Sequence, residues 1–166
     1  MNLIERLKER AKFQKMKIVL PETNDMRTII AAHKILKEGI ADIILIGDRE
    51  RILSNAESNR LHVEEAQFVY PSTFEHLDEY VDELVRLRSK KGLTPERAKE
   101  ILVSNFLYFG CMMVKMGEAD GMVAGACHSS ADVLRASLQV LKTKPGTKLV
   151  SAFFVMVVPD CQYGAN

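Results

Sequence analysis

Tryptophan is absent from this chain, and cysteine is scarce, with three residues among 166. Cys111, Cys127 and Cys161 are odd in number and widely spaced, and no Cys-x-x-Cys pair or Cys/His cluster offers metal-ligand spacing. This pattern argues against a disulfide-stapled secreted scaffold and gives no reason to expect a bound metal. We predict a cytoplasmic protein with reduced thiols and no metal site.

The sequence also lacks an excess of charge of one sign and any long apolar run. It carries 23 Lys and Arg against 22 Asp and Glu, a formal net charge of +1, without a block of like charges. Nucleic-acid or anionic-membrane binding needs a basic excess or a concentrated patch, so neither partner is expected. The longest apolar stretch, residues 152–159, is too short to span a bilayer, and the N-terminus lacks the apolar core of a secretory signal.

Two nucleotide-binding motifs are missing as well. Neither G-x-x-x-x-G-K-[ST] nor G-x-G-x-x-G occurs anywhere in the chain. A nucleoside-triphosphate or dinucleotide site would therefore lack the glycine-rich loop that normally cradles its phosphates.

Helical and extended segments alternate along the chain. Short continuous apolar runs at 17–20, 42–46 and 67–70 predict strands that are buried on both faces, as in a parallel sheet. The helices predicted around them cover residues 2–14, 24–37, 49–58, 75–90 and 95–117. With 47% hydrophobic residues, the chain can bury one sizeable core. We predict an α/β fold in which a parallel sheet lies between two helical layers.

The most informative stretch is 119–143. It predicts a short strand at 121–124, a turn rich in small and hydroxyl residues, and a helix that Ser129 and Ser130 can cap. Arg135 lies on the polar side of that helix. The apolar positions repeat with helical spacing and predict a core-facing side made of Ala131, Leu134, Leu138 and Leu141.

This stretch has the composition of an anion site. A helix N-terminus offers free N–H groups and partial positive charge, and hydroxyls with a guanidinium add further donors. Phosphate is the anion that such a set suits. The alternative is a strand–turn–helix unit that binds nothing, because every parallel α/β protein contains such units.

A sharp break at 143–146 precedes a long apolar segment, 148–158, which predicts a further strand. A buried strand needs neighbours on both sides, and few residues follow this one. Either another chain covers it or the chain is cut short, and we favour the second interpretation.

Four segments together resemble a known family. They are the IVLPET stretch with its following arginine at 18–27, LRSKKG at 87–92, MGEADGMVAGACHSSADVLRASLQVLKT at 116–143 and SAFFVMVVPDCQYGAN at 151–166. They resemble the phosphate acyltransferases, most closely the phosphate acetyltransferases, over the N-terminal half of that family's length. The resemblance implies two α/β domains of the isocitrate/isopropylmalate dehydrogenase type with a cleft between them. Residues 1–145 would belong to the first domain, and 146–166 would begin a truncated second domain.

The resemblance implies a reversible reaction of acetyl-CoA with phosphate to give acetyl phosphate and CoA. CoA and acetyl-CoA are then substrates, no cofactor is bound, and the full-length proteins form homodimers. The family's thiol-activating motifs lie in its C-terminal half, so we expect no catalytic residue in this chain and little activity from it alone. Two alternatives are a phosphate butyryltransferase and a non-catalytic regulatory or decoy domain that binds acetyl-CoA or acetyl phosphate.

The resemblance also implies roles for single residues. Arg135 and Arg88 match arginines of the substrate site, and Ser129 and Ser130 match hydroxyls near phosphate. Cys161 would lie near CoA, although a spectator thiol fits its position equally well. We take Cys111 and Cys127 as structural and do not expect His128 to be the base, since the family's base lies elsewhere.

Overall fold

The structure, a computed structural model, describes residues 2–158. Within that range the chain forms seven α-helices and four β-strands. In chain order they are α1 (Leu3–Phe13), β1 (Lys17–Leu20), α2 (Met26–Glu38), β2 (Asp42–Ile46), α3 (Arg49–Ser58), β3 (Gln67–Val69), α4 (Leu77–Arg88), α5 (Pro95–Ser104), α6 (Phe106–Lys115), β4 (Gly121–Met122) and α7 (Ser130–Val140).

The four strands form one parallel sheet in the order β3-β2-β1-β4. Successive strand residues point to opposite faces, and each face carries its own core. Val19 and Ile44 pack against α4 to α7 on one face, whereas Leu20 and Leu45 pack against α2 and α3 on the other. The predicted α/β fold, with a parallel sheet between two helical layers, is confirmed.

The strand order changes direction at β1. The chain moves outward from β1 to β2 and β3, and then returns to place β4 on the other side of β1. In open α/β sheets, ligands bind outside the carboxyl ends of the strands at such a switch point. The loops that follow β1 and β4 therefore meet where a site is expected.

The single helix predicted over 95–117 is two helices, α5 and α6, which are separated by Asn105. The backbone of Asn105 leaves the helical region, with φ −127° and ψ 99°. Its side-chain oxygen accepts hydrogen bonds from the N–H groups of Leu107 and Tyr108 at 3.1 and 3.3 Å. A short amide side chain that can cap a helix competes with the continuous helix here.

Helix α6 packs closely on the sheet. A Cβ atom at Gly110 would lie 2.7 Å from the sulfur of Met122 and 3.2 Å from a methyl group of Val19, so only glycine fits without a shift. Its neighbours Met112 and Met113 are fully buried. Helix α6 is thus the central helix of its layer, as its apolar composition predicts.

The predicted core face of α7 is wrong. Ala136 and Val140 are fully buried, whereas Leu134 and Leu138 are 44% and 43% exposed. The helix carries two apolar stripes, and the one with the small residue Ala136 is the one that packs on α6. The thiol of Cys111 lies 3.8 Å from the hydroxyl of Ser137 at this contact.

The strand predicted over 148–158 is also absent, since these residues form no helix or strand. Their apolar side chains are exposed, among them Phe153 at 86% and Phe154 at 92%. A strand needs a hydrogen-bonding neighbour, and no other part of the described chain supplies one. The assignment of 146–166 to a second domain stays a prediction. None of the helices within residues 2–158 combines the length and apolarity that crossing a membrane requires.

Candidate functional site

The site at the switch point is built around Glu22. This residue follows β1 and is only 4% exposed. Its carboxylate accepts hydrogen bonds from four consecutive backbone N–H groups of the loop after β4. Oε2 accepts from Gly125 and Ala126 at 2.7 Å each, and Oε1 accepts from Cys127 and His128 at 3.0 Å each.

The loop after β4 adopts this shape for local reasons. Gly125 has φ +110°, a conformation that side-chain-bearing residues rarely adopt, so the following N–H groups can converge on one point. Such a concave set of N–H groups binds anions. At its start, β4 is held on β1, because the carboxylate of Asp120 accepts from the Lys17 N–H at 2.8 Å.

The anion in this concavity is the chain's own carboxylate. Burial alone would raise the pKa of Glu22, but the hydrogen bonds from Ala126, Cys127, His128 and Gly125 outweigh it and lower the pKa to about 2. Glu22 is therefore ionised at neutral pH. The backbone donors of the turn are thus already engaged by Glu22, and binding of an external anion at this turn stays a prediction.

The loop is also held from its other side. Arg27 donates a hydrogen bond from Nη2 to the carbonyl of Ala126, and the same guanidinium pairs with Asp25 at 2.7 Å. Asp25 in turn caps α2 through the N–H of Arg27. Glu22 accepts hydrogen bonds from the N–H groups of the loop after β4, and Arg27 donates one to a carbonyl of the same loop. The loops after β1 and β4 are therefore joined as one unit.

Sequence reasoning did not identify Glu22 or Arg27 as site residues. Both lie in the IVLPET stretch and its continuation, which served only to show the resemblance. The available signal was an acidic residue directly after Pro21 at the end of a buried strand. That signal places Glu22 at the carboxyl edge of the sheet, but it does not show which loop it meets.

His128 and Cys127 complete the surroundings of Glu22. The ring atom Nδ1 of His128 lies 2.7 Å from Oε1, and the thiol of Cys127 lies 3.5 Å from the same oxygen. Burial, with the hydrogen bond and charge of Glu22, raises the pKa of the Cys127 thiol. This thiol is therefore protonated at neutral pH, which does not favour nucleophilic or metal-binding chemistry.

These three residues lie close enough together to share a metal ion. The donor set does not suit one, because the Glu22 oxygens already accept four N–H bonds and the bond at His128 Nδ1. A carboxylate offers about four lone-pair positions, so a cation would have to displace backbone donors. The expectation of no metal stays a prediction.

Ser129 and Arg135 meet through Asp132 at the N-terminus of α7. Ser129 is the N-cap residue, as predicted: its hydroxyl accepts from the N–H of Asp132 at 3.2 Å and donates to its carboxylate at 2.7 Å. Arg135 donates from Nη1 to the same carboxylate at 2.7 Å. These bonds lower the pKa of Asp132, with Ser129 the larger cause. Ser130 is the first residue of α7 and is exposed.

Arg88 is the last residue of α4. Burial raises the pKa of Tyr108, while the charges of Arg88 and Arg135 oppose that rise, so both guanidinium groups act on one phenol. The Tyr108 hydroxyl donates to Gln139 of α7 at 2.7 Å. Cys161, the residue expected near CoA, lies outside the described residues. Cys111 is fully buried, in keeping with a structural role.

Comparison with known proteins shows which family the sequence matches. A family model described as phosphate acetyl/butaryl transferase matches residues 2–165. The chain is 48% identical over all 166 residues to a phosphate acetyltransferase of Thermoanaerobacterium thermosaccharolyticum and covers 50% of it. It is 51% identical over its full length to a phosphate acetyltransferase of Acetivibrio thermocellus and covers 49% of it.

Two solved structures that match the chain are also phosphotransacetylases. The EutD phosphotransacetylase from Staphylococcus aureus has a TM-score of 0.85 and 38% identity, over 95% of this chain and 47% of that one. A phosphotransacetylase from Streptococcus pyogenes has a TM-score of 0.81 and 35% identity, over 90% of this chain and 46% of that one. The chain thus spans about half the length of the relatives it matches.

Proposed function

Since this chain belongs to the phosphate acetyl/butaryl transferase family, we propose that it forms the phosphate-binding part of a phosphate acetyltransferase. The reaction is acetyl-CoA plus phosphate giving acetyl phosphate plus CoA, in either direction. The observation that carries this proposal is identity of 48% and 51% across all 166 residues to proteins named phosphate acetyltransferase. The same relatives favour acetyl over butyryl as the transferred group.

The phosphate subsite that we propose lies at the N-terminus of α7. Arg135 and Ser129 both donate to the carboxylate of Asp132, and a phosphate bound in this subsite would replace that carboxylate. Arg135 is 57% exposed in its side chain and can exchange Asp132 for a ligand. Phosphate offers more charge and more acceptor oxygens than a carboxylate, and a guanidinium recognises it in a bidentate manner. Ser130 and Arg88 would add a hydroxyl and a second positive charge.

The rest of the reaction needs groups beyond this subsite. Attack by the CoA thiol on acetyl phosphate requires a base for the thiol proton and cations that stabilise the leaving phosphate. The subsite supplies the second requirement only. We therefore propose that CoA binds across the cleft from this subsite, with Cys161 near it, in a cytoplasmic enzyme whose full-length form is a homodimer.

Titration of the chain with inorganic phosphate tests the subsite. We expect saturable binding by the wild-type chain and, for Arg135→Gln, affinity about tenfold or more lower, since a hydrogen bond to a charged group contributes about 1.5–3 kcal/mol. Asp132→Asn removes the competing charge and keeps a side chain that can accept from Ser129, so its affinity should rise. Isothermal titration calorimetry measures all three proteins. Absence of binding by the wild type, or equal affinity for Arg135→Gln, would contradict the proposed subsite.

A further inference from the structure

His128 connects the loop that holds Glu22 to the helix that carries the proposed phosphate subsite. Its backbone N–H donates to Glu22 at 3.0 Å, and its ring Nδ1 lies 2.7 Å from the same carboxylate oxygen. The next residue, Ser129, is the N-cap of α7. The position of the imidazole ring is thus fixed immediately before the first turn of α7.

The carboxylate determines which ring nitrogen carries the proton. Glu22 is ionised and can only accept, so Nδ1 of His128 must carry the hydrogen that lies between them. The other ring nitrogen, Nε2, is on the far edge of the ring. Among residues 2–158 no hydrogen bond of the structure involves Nε2, and the side chain is 39% exposed. Nε2 is therefore available to a ligand.

The ring is one of several groups that hold the loop. Four backbone N–H groups already bind Glu22, and Arg27 holds the carbonyl of Ala126. The bond from Nδ1 comes in addition to four N–H bonds and the bond from the Cys127 thiol, which already satisfy this carboxylate. What it adds is a fixed direction for Nε2, in the way that a carboxylate orients the histidine ligands of metal and catalytic sites.

We propose that His128 is a phosphate-binding residue whose Nε2 contacts a phosphoryl oxygen held by Arg135 at the N-terminus of α7, and that Glu22 is the residue that positions it. The inference rests on the proposed function and adds a residue to the same subsite. Phosphate near neutral pH carries both hydroxyl and anionic oxygens. It can therefore donate to Nε2 of a neutral ring or accept from Nε2–H of a charged one. The charged group in contact with the ring is Glu22; the pair Asp25–Arg27 belongs to the loop after β1, and the pair Asp132–Arg135 lies in the first turns of α7.

A matched pair of variants separates the two edges of the ring. In His128→Asn, the amide nitrogen can take the place of Nδ1 and keep the bond to Glu22, while Nε2 is lost. In His128→Gln, an amide group reaches toward the place of Nε2, while the bond to Glu22 is lost. For His128→Asn we expect affinity for inorganic phosphate about tenfold lower with an unchanged urea-unfolding midpoint. His128→Gln should restore part of that affinity at a reduced unfolding midpoint.

A second measurement follows phosphate binding in the wild-type chain and uses His128→Asn only for assignment. In the ¹⁵N-labelled wild-type chain, the two ring nitrogens of each of the four histidines give separate resonances, and His128→Asn identifies those of His128. We expect the Nδ1–H form before ligand is added and a shift of the Nε2 resonance with inorganic phosphate. Potassium chloride at the same ionic strength should cause none. Acetyl phosphate, titrated separately, shows whether the phosphoryl group of that substrate is recognised as well as the free ion.

The outcomes distinguish this inference from the function on which it rests. If the wild type binds phosphate and Arg135→Gln does not, the subsite stands. If His128→Asn then binds phosphate as the wild type does and the Nε2 resonance stays in place, His128 is not part of it. If the wild type binds no phosphate at all, the proposed function fails and the inference fails with it.

Discussion

At the scale of single residues, Glu22 is the group that holds the site together. Its carboxylate joins the loop after β1 to the loop after β4, and it is 4% exposed with all its hydrogen bonds made inside the protein. A buried charge is tolerated only when it is fully hydrogen-bonded. Removal of the charge would weaken these bonds, and an amide nitrogen in place of either oxygen would face two N–H groups that have lost their acceptor.

The stability of the protein should depend on the ionisation of Glu22. Its pKa is lowered from the ordinary 4.5 to about 2 in the folded state. The stabilisation is thus complete above pH 4.5 and is lost as the pH falls through about 2, with a linked free energy of about 3 kcal/mol. Urea unfolding at a series of pH values measures this. Glu22→Gln should have a lower free energy of unfolding at pH 7 and a weaker dependence on pH between 5 and 2.

The exposed Glu65 provides the control for that measurement. Glu65→Gln should unfold as the wild type does at every pH. An unchanged pH dependence in Glu22→Gln would contradict the account of Glu22 as the buried anion of the loop.

Sequence could not predict the Glu22 contact, although it predicted several residues beside it. The capping role of Ser129 follows from the residues next to it and was predicted. The partners of Glu22 lie 103 to 106 positions away along the chain. No local pattern encodes such a pairing, because it depends on β4 returning to the side of β1.

At the scale of secondary-structure elements, α7 shows how packing chooses between two faces. The leucine stripe is the more hydrophobic one and predicts the wrong face. The face that packs on α6 carries Ala136, which permits close approach of the two helices, and Gln139, which binds Tyr108 at 2.7 Å. The choice depends on the shape of the partner helix, which the sequence of α7 alone does not contain.

Substitutions on the two faces should differ in their effect on stability. Ala136 is fully buried, so Ala136→Leu should overfill the contact with α6 and lower the free energy of unfolding by about 1–3 kcal/mol. Leu138 is 43% exposed, and Leu138→Ala should change that free energy by no more than about 0.5 kcal/mol. Thermal and urea unfolding of both variants give the comparison. The opposite order of effects would mean that the leucine stripe is the packed face after all.

The strands were the most predictable elements. Each of the first three is a continuous apolar run, and β1, β2 and β3 lie within a residue of the predicted bounds. The break between α5 and α6 was missed because the surrounding residues are apolar and a single Asn105 supplies the cap. The segment 148–158 was over-predicted, since apolar composition gives a strand only where a neighbouring strand is present.

At the scale of the whole molecule, the chain combines the proposed phosphate subsite with an exposed apolar segment. Leu149, Phe153 and Phe154 are between 80% and 92% exposed. Contiguous exposed apolar groups of this kind mark surfaces that are covered in an assembly or that associate with one another.

The transferase activity of the 166-residue chain on its own should be very low. It carries the proposed phosphate subsite, and the groups that would accept the thiol proton are not among the residues matched to the family's motifs. A coupled assay with acetyl phosphate and CoA measures turnover, with a full-length relative as the positive control. Turnover near that of the relative would show that the chain contains every group the reaction needs. It would contradict the view that the chain supplies only the phosphate subsite.

The bond between Glu22 and its loop also determines when the site can form. Residues 22 and 125 are 103 positions apart, and the contact closes only after β4 has docked beside β1. During synthesis at about 5–20 residues per second, the Glu22 carboxylate would stay hydrated for several seconds before the N–H groups of the loop after β4 are made. The site is therefore a product of late, long-range folding. Any mutation that slows the return of β4 would delay the loop after β4 more than the rest of the sheet.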